Sequence, residues 1–299
     1  MTRLRSAALL LAACNTAPID RDSDTAPPVL AECPDYDQAR SDAVLQPDLT
    51  EASGLVLGAG GDVLWTHNDS GDRARLFALS ATGQPLGTVQ LTDAQAQDWE
   101  DIARVDIDGV STLVVADTGD NARARPSVAL VLVSEPLPPG EGVQQDAVVR
   151  SRVRVSFTEG PQDVEAVAID PLDGTLVMLS KTLDGAAIYT APGGWWNEEA
   201  LELTEQAFLP LGSDALPGSP NATGMDIAAD GSAVIVRTYT GAWLFRRPPG
   251  PVADAFDTEP CEAEGVTEQG EAIAFIGTDY VTLPEGEQPL LVRYSPEAL

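Results

Sequence analysis

The sequence predicts an all-β chain built from one repeated sheet unit. Three observations predict it. From residue 45 onward, short apolar alternations such as SGLVLG, STLVVAD, VALVLVS and AVIVRT are separated by GD, DG, TG and PG dipeptides, the signature of strands joined by turns. No long run has helical period; residues 195–206 are the one modest helix candidate, with a loop or irregular strand as the alternative. Finally, one motif recurs in fixed order: a polar residue with apolar residues two and four places after it.

That motif reads Ser53-Gly-Leu55-Val-Leu57, Glu165-Ala-Val167-Ala-Ile169, Thr223-Gly-Met225-Asp-Ile227 and Glu271-Ala-Ile273-Ala-Phe275. Glu100-Asp-Ile102-Ala fits at its first apolar position and is broken at Arg104, where a bulge is expected. A Gly or Ala follows the polar residue in four of the five units. Repetition at this length is the mark of a propeller. The first four units each supply four strands and the fifth only three, so residues before Ser53, such as 42–46, are expected to add the missing outer strand. The expectation is five blades with the ring closed by the N-terminal strand, leaving no sheet edge unpaired. Six blades, with one hidden in the 100–165 interval, is the alternative.

Composition narrows the function. The 299 residues carry 47 acidic and 17 basic side chains, a formal net charge of −30, which argues against nucleic acid and anionic membrane surfaces as partners. The basic set is arginine with a single lysine, Lys181, and there is a single histidine, His67. A His pair or a multi-His zinc site is therefore excluded. Residues 1–13 have a positive start (Arg3, Arg5) and a short apolar run, which reads as a signal peptide too short to span a bilayer. The run Leu11-Ala12-Ala13-Cys14 resembles the lipobox of bacterial lipoproteins, which implies lipidation at Cys14 and a membrane link through that lipid alone. Asn15 then favours the outer membrane or cell surface. Residues 14–32 carry Pro, Asp, Ser and Thr without period and read as a disordered tether, leaving 33–299 as the propeller domain, expected to be a monomer. In an exported chain the remaining cysteines, Cys33 and Cys261, are expected to form a disulfide.

The first strand of each blade lines a propeller's central channel. The five leading residues Ser53, Glu100, Glu165, Thr223 and Glu271 are therefore expected to form a ring at one face. Three carboxylates in a narrow channel repel one another and either raise their pKa values or recruit a cation. All the donors are oxygens, which favours a hard ion, and Ca2+ accepts irregular oxygen coordination. The order Ser, Glu, Glu, Thr, Glu resembles the secreted calcium-activated nucleotidases, or apyrases. The resemblance covers these five short motifs and implies a five-bladed propeller with a central calcium; Thr223 stands where that family usually has serine. The motifs EASGL, WEDIA and VEAVA are also similar to bacterial propellers of the esterase-like and phytase-like kinds, and the layout to regucalcin-like lactonases.

The ends of the second strands are expected at the same face. They bring His67, Asp69, Asp117, Asp120, Arg123, Lys181, Arg237, Tyr239 and Glu285 around the ring, with Arg73, Arg75 and Arg125 at the same level. A cation flanked by such groups suits a small anionic molecule. The expected activity is hydrolysis of a phosphoester, or of a carboxyl ester or lactone. Lys181 and Arg237, with Arg123 and Tyr239, would hold the anion, and Asp101, Asp117 or Glu51 would activate water, with His67 as the alternative base. The competing reading is a non-catalytic binding propeller with a structural ion. The GAGG at 58–61 follows a strand with no helix after it and reads as a hairpin. Trp195-Trp196 is expected to pack on a blade side or to grip a partner.

Overall fold

The computed structural model describes residues 32–182, 184–211, 221–263 and 270–296. The signal peptide, Cys14 and all of the tether except Glu32 lie outside the described residues. The chain enters through β1 (Tyr36–Ala43) and builds β2 (Ala52–Leu57), β3 (Val63–Asn68), β4 (Arg75–Ser80) and β5 (Pro85–Leu91). Next come β6 (Trp99–Ile107), β7 (Val110–Asp117), β8 (Val128–Ser134), β9 (Gln144–Ala147) and β10 (Ser151–Phe157). The third stretch holds β11 (Val164–Ile169), β12 (Leu176–Ser180), β13 (Gly185–Ala191), a 3-10 turn at Trp195–Asn197, β14 (Ala200–Leu203) and β15 (Ala207–Pro210). The last two comprise β16 (Ala222–Ile227), β17 (Ala233–Thr238), β18 (Ala242–Arg246) and β19 (Cys261–Ala263), then β20 (Ala272–Ile276), β21 (Asp279–Leu283) and β22 (Leu290–Pro296).

These strands form five sheets, each a meander starting from β2, β6, β11, β16 or β20. The inner strands pack in a ring, β2 on β6, β6 on β11, β11 on β16, β16 on β20 and β20 on β2. The fold is a five-bladed propeller. Strand β1 pairs antiparallel with β22 and completes the last blade; it begins at Tyr36, earlier than the expected 42–46. Cys33 is disulfide-bonded to Cys261, 228 residues away, so the entry to β1 is tied to β19 in the preceding blade. The 100–165 interval holds no sixth blade. Its length is an excursion: β9 leaves the second blade, adds in parallel to β5 of the first, and returns as β10. Strand β14 does the same one blade later, adding in parallel to β10. The region expected to be helical or irregular is thus the 3-10 turn plus this edge strand. Trp195 is buried there, its Nε1 donating to the Gly174 carbonyl at 3.1 Å.

The buried apolar residues fall into five clusters, one between each pair of neighbouring blades. This explains the motif. Successive residues of an inner strand face opposite neighbours, since strand side chains alternate. In β11, Val167 and Ile169 join the cluster shared with the preceding blade, while Ala166 and Ala168 join that shared with the following one. In β20, Ile273 and Phe275 face back, Ala272 and Ala274 forward. The forward face is small because inner strands crowd near the axis: a Cβ on Gly54 would stand 2.5 Å from the Ile102 nitrogen, and one on Gly224 2.3 Å from the Glu271 carbonyl oxygen.

Candidate metal centre at the hub

The leading residue of the repeat is set by a register break. In β6, Trp99 pairs with Asp117 and Asp101 with Ala116, so Glu100 is an extra residue. Glu165 is the extra residue between Val164 and Ala166 of β11, and Thr223 that between Ala222 and Gly224 of β16. In β2 the break spans Ser53 and Gly54. Glu271 directly precedes β20. A β-bulge re-aims the side chain it adds, and Ser53, Glu100, Glu165, Thr223 and Glu271 are all buried. The bulge expected at Arg104 is absent; Arg104 stays paired with Leu113 and donates from Nε to the Leu57 carbonyl at the far end of the hub.

Two carboxylate triads form at the bulged end: Asp69, Glu100 and Glu271, and Glu100, Asp163 and Glu165. Within each triad one oxygen from every residue lies within 4.8 Å of the others. The outer members each have one oxygen held by a donor. The Ser70 N–H donates to Asp69, the Asp120 N–H to Asp163 (2.7 Å), Lys181 Nζ to Glu165 (2.9 Å) and Ser53 Oγ to Glu271 (2.7 Å). Glu100 is different. It is 3% exposed, and no donor among the described residues reaches its carboxylate. Its Oε1 lies over Gly119, where a Cβ would stand 1.9 Å from it and 2.6 Å from the Asp98 carboxylate. Both triads offer hard oxygen donors alone, the chemistry suited to a hard cation.

The electrostatics match the crowding. Burial, reinforced by Glu165 and Asp69, holds the Glu100 carboxyl well above the usual range. Burial lifts Glu165 to about 8, against the pull of Lys181, and Glu271 to about 7, against the Ser53 hydrogen bond. Half-buried Asp98 is also raised, by burial and then by Asp69 and Asp163. Lys181 stays an ammonium, the Glu165 carboxylate outweighing its partial burial.

Of the expected ring, Ser53, Glu100, Glu165 and Glu271 meet. Thr223 is buried in the ring, but its hydroxyl approaches the Arg237 carbonyl of its own blade at 3.5 Å. Asp69 from the second ring joins the first triad. Asp163 was not singled out from the sequence, although the D-x-E spacing at 163–165 and 98–100 carries it and Asp98 to the hub mouth.

The second ring departs from expectation. Asp101 is fully enclosed, and its carboxylate accepts the N–H groups of Ile102, Val167 and Met225 at 2.8–3.2 Å. It braces three inner strands and is not open to water. Arg237 is 1% exposed and donates to the carbonyls of Gly270 (2.8 Å) and Ala272 (3.0 Å), so it locks two blades together and is enclosed away from solvent. His67 is fully buried edge-on to Trp99, and burial lowers its pKa. Asp117 pairs with Arg125 (2.9 Å) and accepts the Asp98 N–H. Arg123 is exposed but donates to the Lys181 carbonyl (3.0 Å), and Arg75 is held by Asp48 and Asp72. Tyr239 lies half-buried under the Lys181 ammonium, 5.4 Å from ring centre to nitrogen. Glu51 is exposed on the same rim.

No protein-family model matches the chain, and no curated protein matches it. Among solved structures, PQQ-bound aldose sugar dehydrogenase from Streptomyces coelicolor aligns over 90% of this chain and 99% of its own at 13% identity and a TM-score of 0.46. A luciferin-regenerating enzyme aligns over 88% and 96% at 8% identity and a TM-score of 0.47. Kuenenia stuttgartiensis hydrazine synthase aligns over 80% and 70% at 9% identity and a TM-score of 0.41. The propeller assignment rests on the chain's own strand order and ring closure.

Proposed function

We propose that the chain is an exported, lipid-anchored monomeric propeller whose hub mouth holds Ca2+, and that it hydrolyses a phosphoester or another anionic ester. One observation carries this reading. Glu100 is a buried carboxylate with no donor among the described residues, and it sits within 4.8 Å of carboxylate oxygens on both sides. A buried carboxylate with no donor either keeps its proton or binds a cation, and the carboxylate oxygens on both sides favour the cation. Asp69, Glu100 and Glu271 would hold the ion, with Ser53 orienting Glu271. A bound divalent cation supplies Lewis-acid polarisation of a phosphoryl or carbonyl oxygen.

The chain's own groups then divide the remaining work. Lys181, steadied by Glu165 and Tyr239, presents the ammonium at the mouth. Asp98, half-buried beside the triads with its pKa raised by burial and then by Asp69 and Asp163, is better placed to take a proton from water than Asp101, Asp117 or His67, whose polar atoms are enclosed or engaged. The disulfide is compatible with an extracytoplasmic location; the anchor at Cys14 rests on the lipobox resemblance and is tested by palmitate labelling. The charge of −30 argues against nucleic acid and anionic lipid surfaces as partners, and a small anionic ligand would approach only through the bound cation and Lys181.

A panel of phosphatase, nucleotide and ester substrates tests this reading, with calcium or with EGTA. Turnover should require calcium and fall at least a hundredfold in Glu100→Gln. A second reading, a binding propeller with a structural ion, is favoured by one observation: Arg75, Arg123, Arg125 and Arg237 are already spent on protein acceptors. Calcium binding without turnover of any substrate would select it.

A further inference from the structure

We infer that the hub mouth is a two-cation site, with Glu100 as the carboxylate shared between the ions. The inference rests on the calcium reading above and deepens it.

The two triads have Glu100 in common and nothing else. Oxygens on opposite sides of one calcium, each about 2.3–2.6 Å from it, stand about 4.6–5.2 Å apart, so a set of oxygens within 4.8 Å is the size of one ion's shell. There are two such sets. Each outer carboxylate is steadied through one oxygen, by the donors on Ser70, Asp120, Lys181 and Ser53. Donors of this kind orient ligands outside the first shell. The shared member is buried, has no donor among the described residues, and gains its room from the missing side chain of Gly119. A carboxylate has two oxygens, so one Glu100 can serve both sets.

Charge gives the second ion a consequence. The five carboxylates of the two triads, ionised and offset by Lys181 and one divalent ion, leave that set with two negative charges, before Asp98 beside it is counted. An anionic ester would meet net repulsion there. A second divalent ion brings the set to neutrality, so anion binding belongs to the doubly loaded form. The two sites are unequal. The Asp69 set has no ammonium bonded to it, whereas Lys181 is bonded to Glu165 in the Asp163 set. The first should fill at lower calcium, by tenfold or more.

Calcium titration of the folded protein by isothermal calorimetry tests this, with bound calcium counted by plasma mass spectrometry after dialysis. Circular dichroism checks each variant's fold. Two ions per chain are expected, in two steps. Asp69→Asn should remove the tighter step and Asp163→Asn the weaker one; Asn keeps an oxygen for the Asp120 N–H. Glu100→Gln should weaken both at least tenfold, and if it does not fold the two Asn variants decide the matter alone. One ion per chain, unaffected by Asp163→Asn, would overturn the second ion and leave the single-ion reading intact. No bound ion would overturn both. Two ions indifferent to Asp69→Asn and Asp163→Asn would place them elsewhere and overturn the shared-Glu100 arrangement.

Discussion

Asp101 shows how a residue chosen for chemistry can serve architecture. The inner strands present their outer N–H groups to the channel, where no further strand can pair with them. Buried N–H groups need acceptors. Asp101 accepts those of Val167 and Met225 from two other blades, and Asp226 accepts that of Phe275. Both aspartates occupy forward-facing positions: the other repeats have Gly or Ala in place of Asp101, and Val56, Ala103, Ala168 and Ala274 in place of Asp226. Asp101→Ala should therefore cost about 3 kcal/mol or more, by stranding buried donors, measured by urea unfolding. Lys181→Ala should cost about 1–3 kcal/mol, since it leaves Glu165 without its counter-charge in a site still partly open to water. An unchanged melting temperature would show the Lys181–Glu165 pair to be dispensable. The D-x-E spacing at 98–100 and 163–165 was present in the sequence. That Asp163 joins Glu165 around one point was not legible, because it depends on the bulge that turns Glu165 inward.

At the scale of the element, the repeat encodes two facts at once. Its apolar alternation sets the strand, and its small-then-large order sets which side meets the next blade. Gly54→Ala should cost about 1–3 kcal/mol, because the new Cβ meets the backbone of Asp101 and Ile102 and not a pliable side chain. A thermal melt of that variant checks it. The outer edges were harder to read. Strands β9 and β14 are short, half exposed and matched to partners one blade away, so their local sequence carries no strong pattern. The closing strand was anticipated because the strand count was short by one. Replacing Cys33 and Cys261 together with serine should lower stability by about 2–4 kcal/mol. The unfolding midpoint of the double variant, compared with that of the parent protein, measures this. Loss should exceed that seen for a short-range disulfide, since the loop spans 228 residues.

For the whole molecule, ring closure concentrates charge that the chain spreads over two hundred residues. In the calcium-free protein, burial raises Glu165 to about 8, and Glu271 and Asp226 to about 7. In the unfolded chain these groups titrate near 4. Between those values the folded state holds more protons than the unfolded one, so stability falls as pH rises. His67 acts in the opposite sense, its lowered pKa costing stability chiefly as pH falls below about 6.5. From pH 6.5 to 8 the carboxyls outweigh the small remaining contribution of His67, and the EGTA-treated protein should lose about 1–3 kcal/mol. Calcium should flatten the slope by replacing protons. Thermal melts at both pH values, with EGTA and with calcium, measure this; a rising stability in EGTA would mean the hub acids are compensated within the protein. The sequence by itself determined the strand content, the five repeats, the disulfide pair and four of the polar side chains that meet at the axis, because each is written in local period or in residue type. Only the tertiary structure decided that Asp101, Arg237 and His67 are enclosed and that Asp69 and Asp163 complete two triads. Enclosure and convergence depend on how far each bulged strand reaches into a closed ring, a distance that no local pattern records.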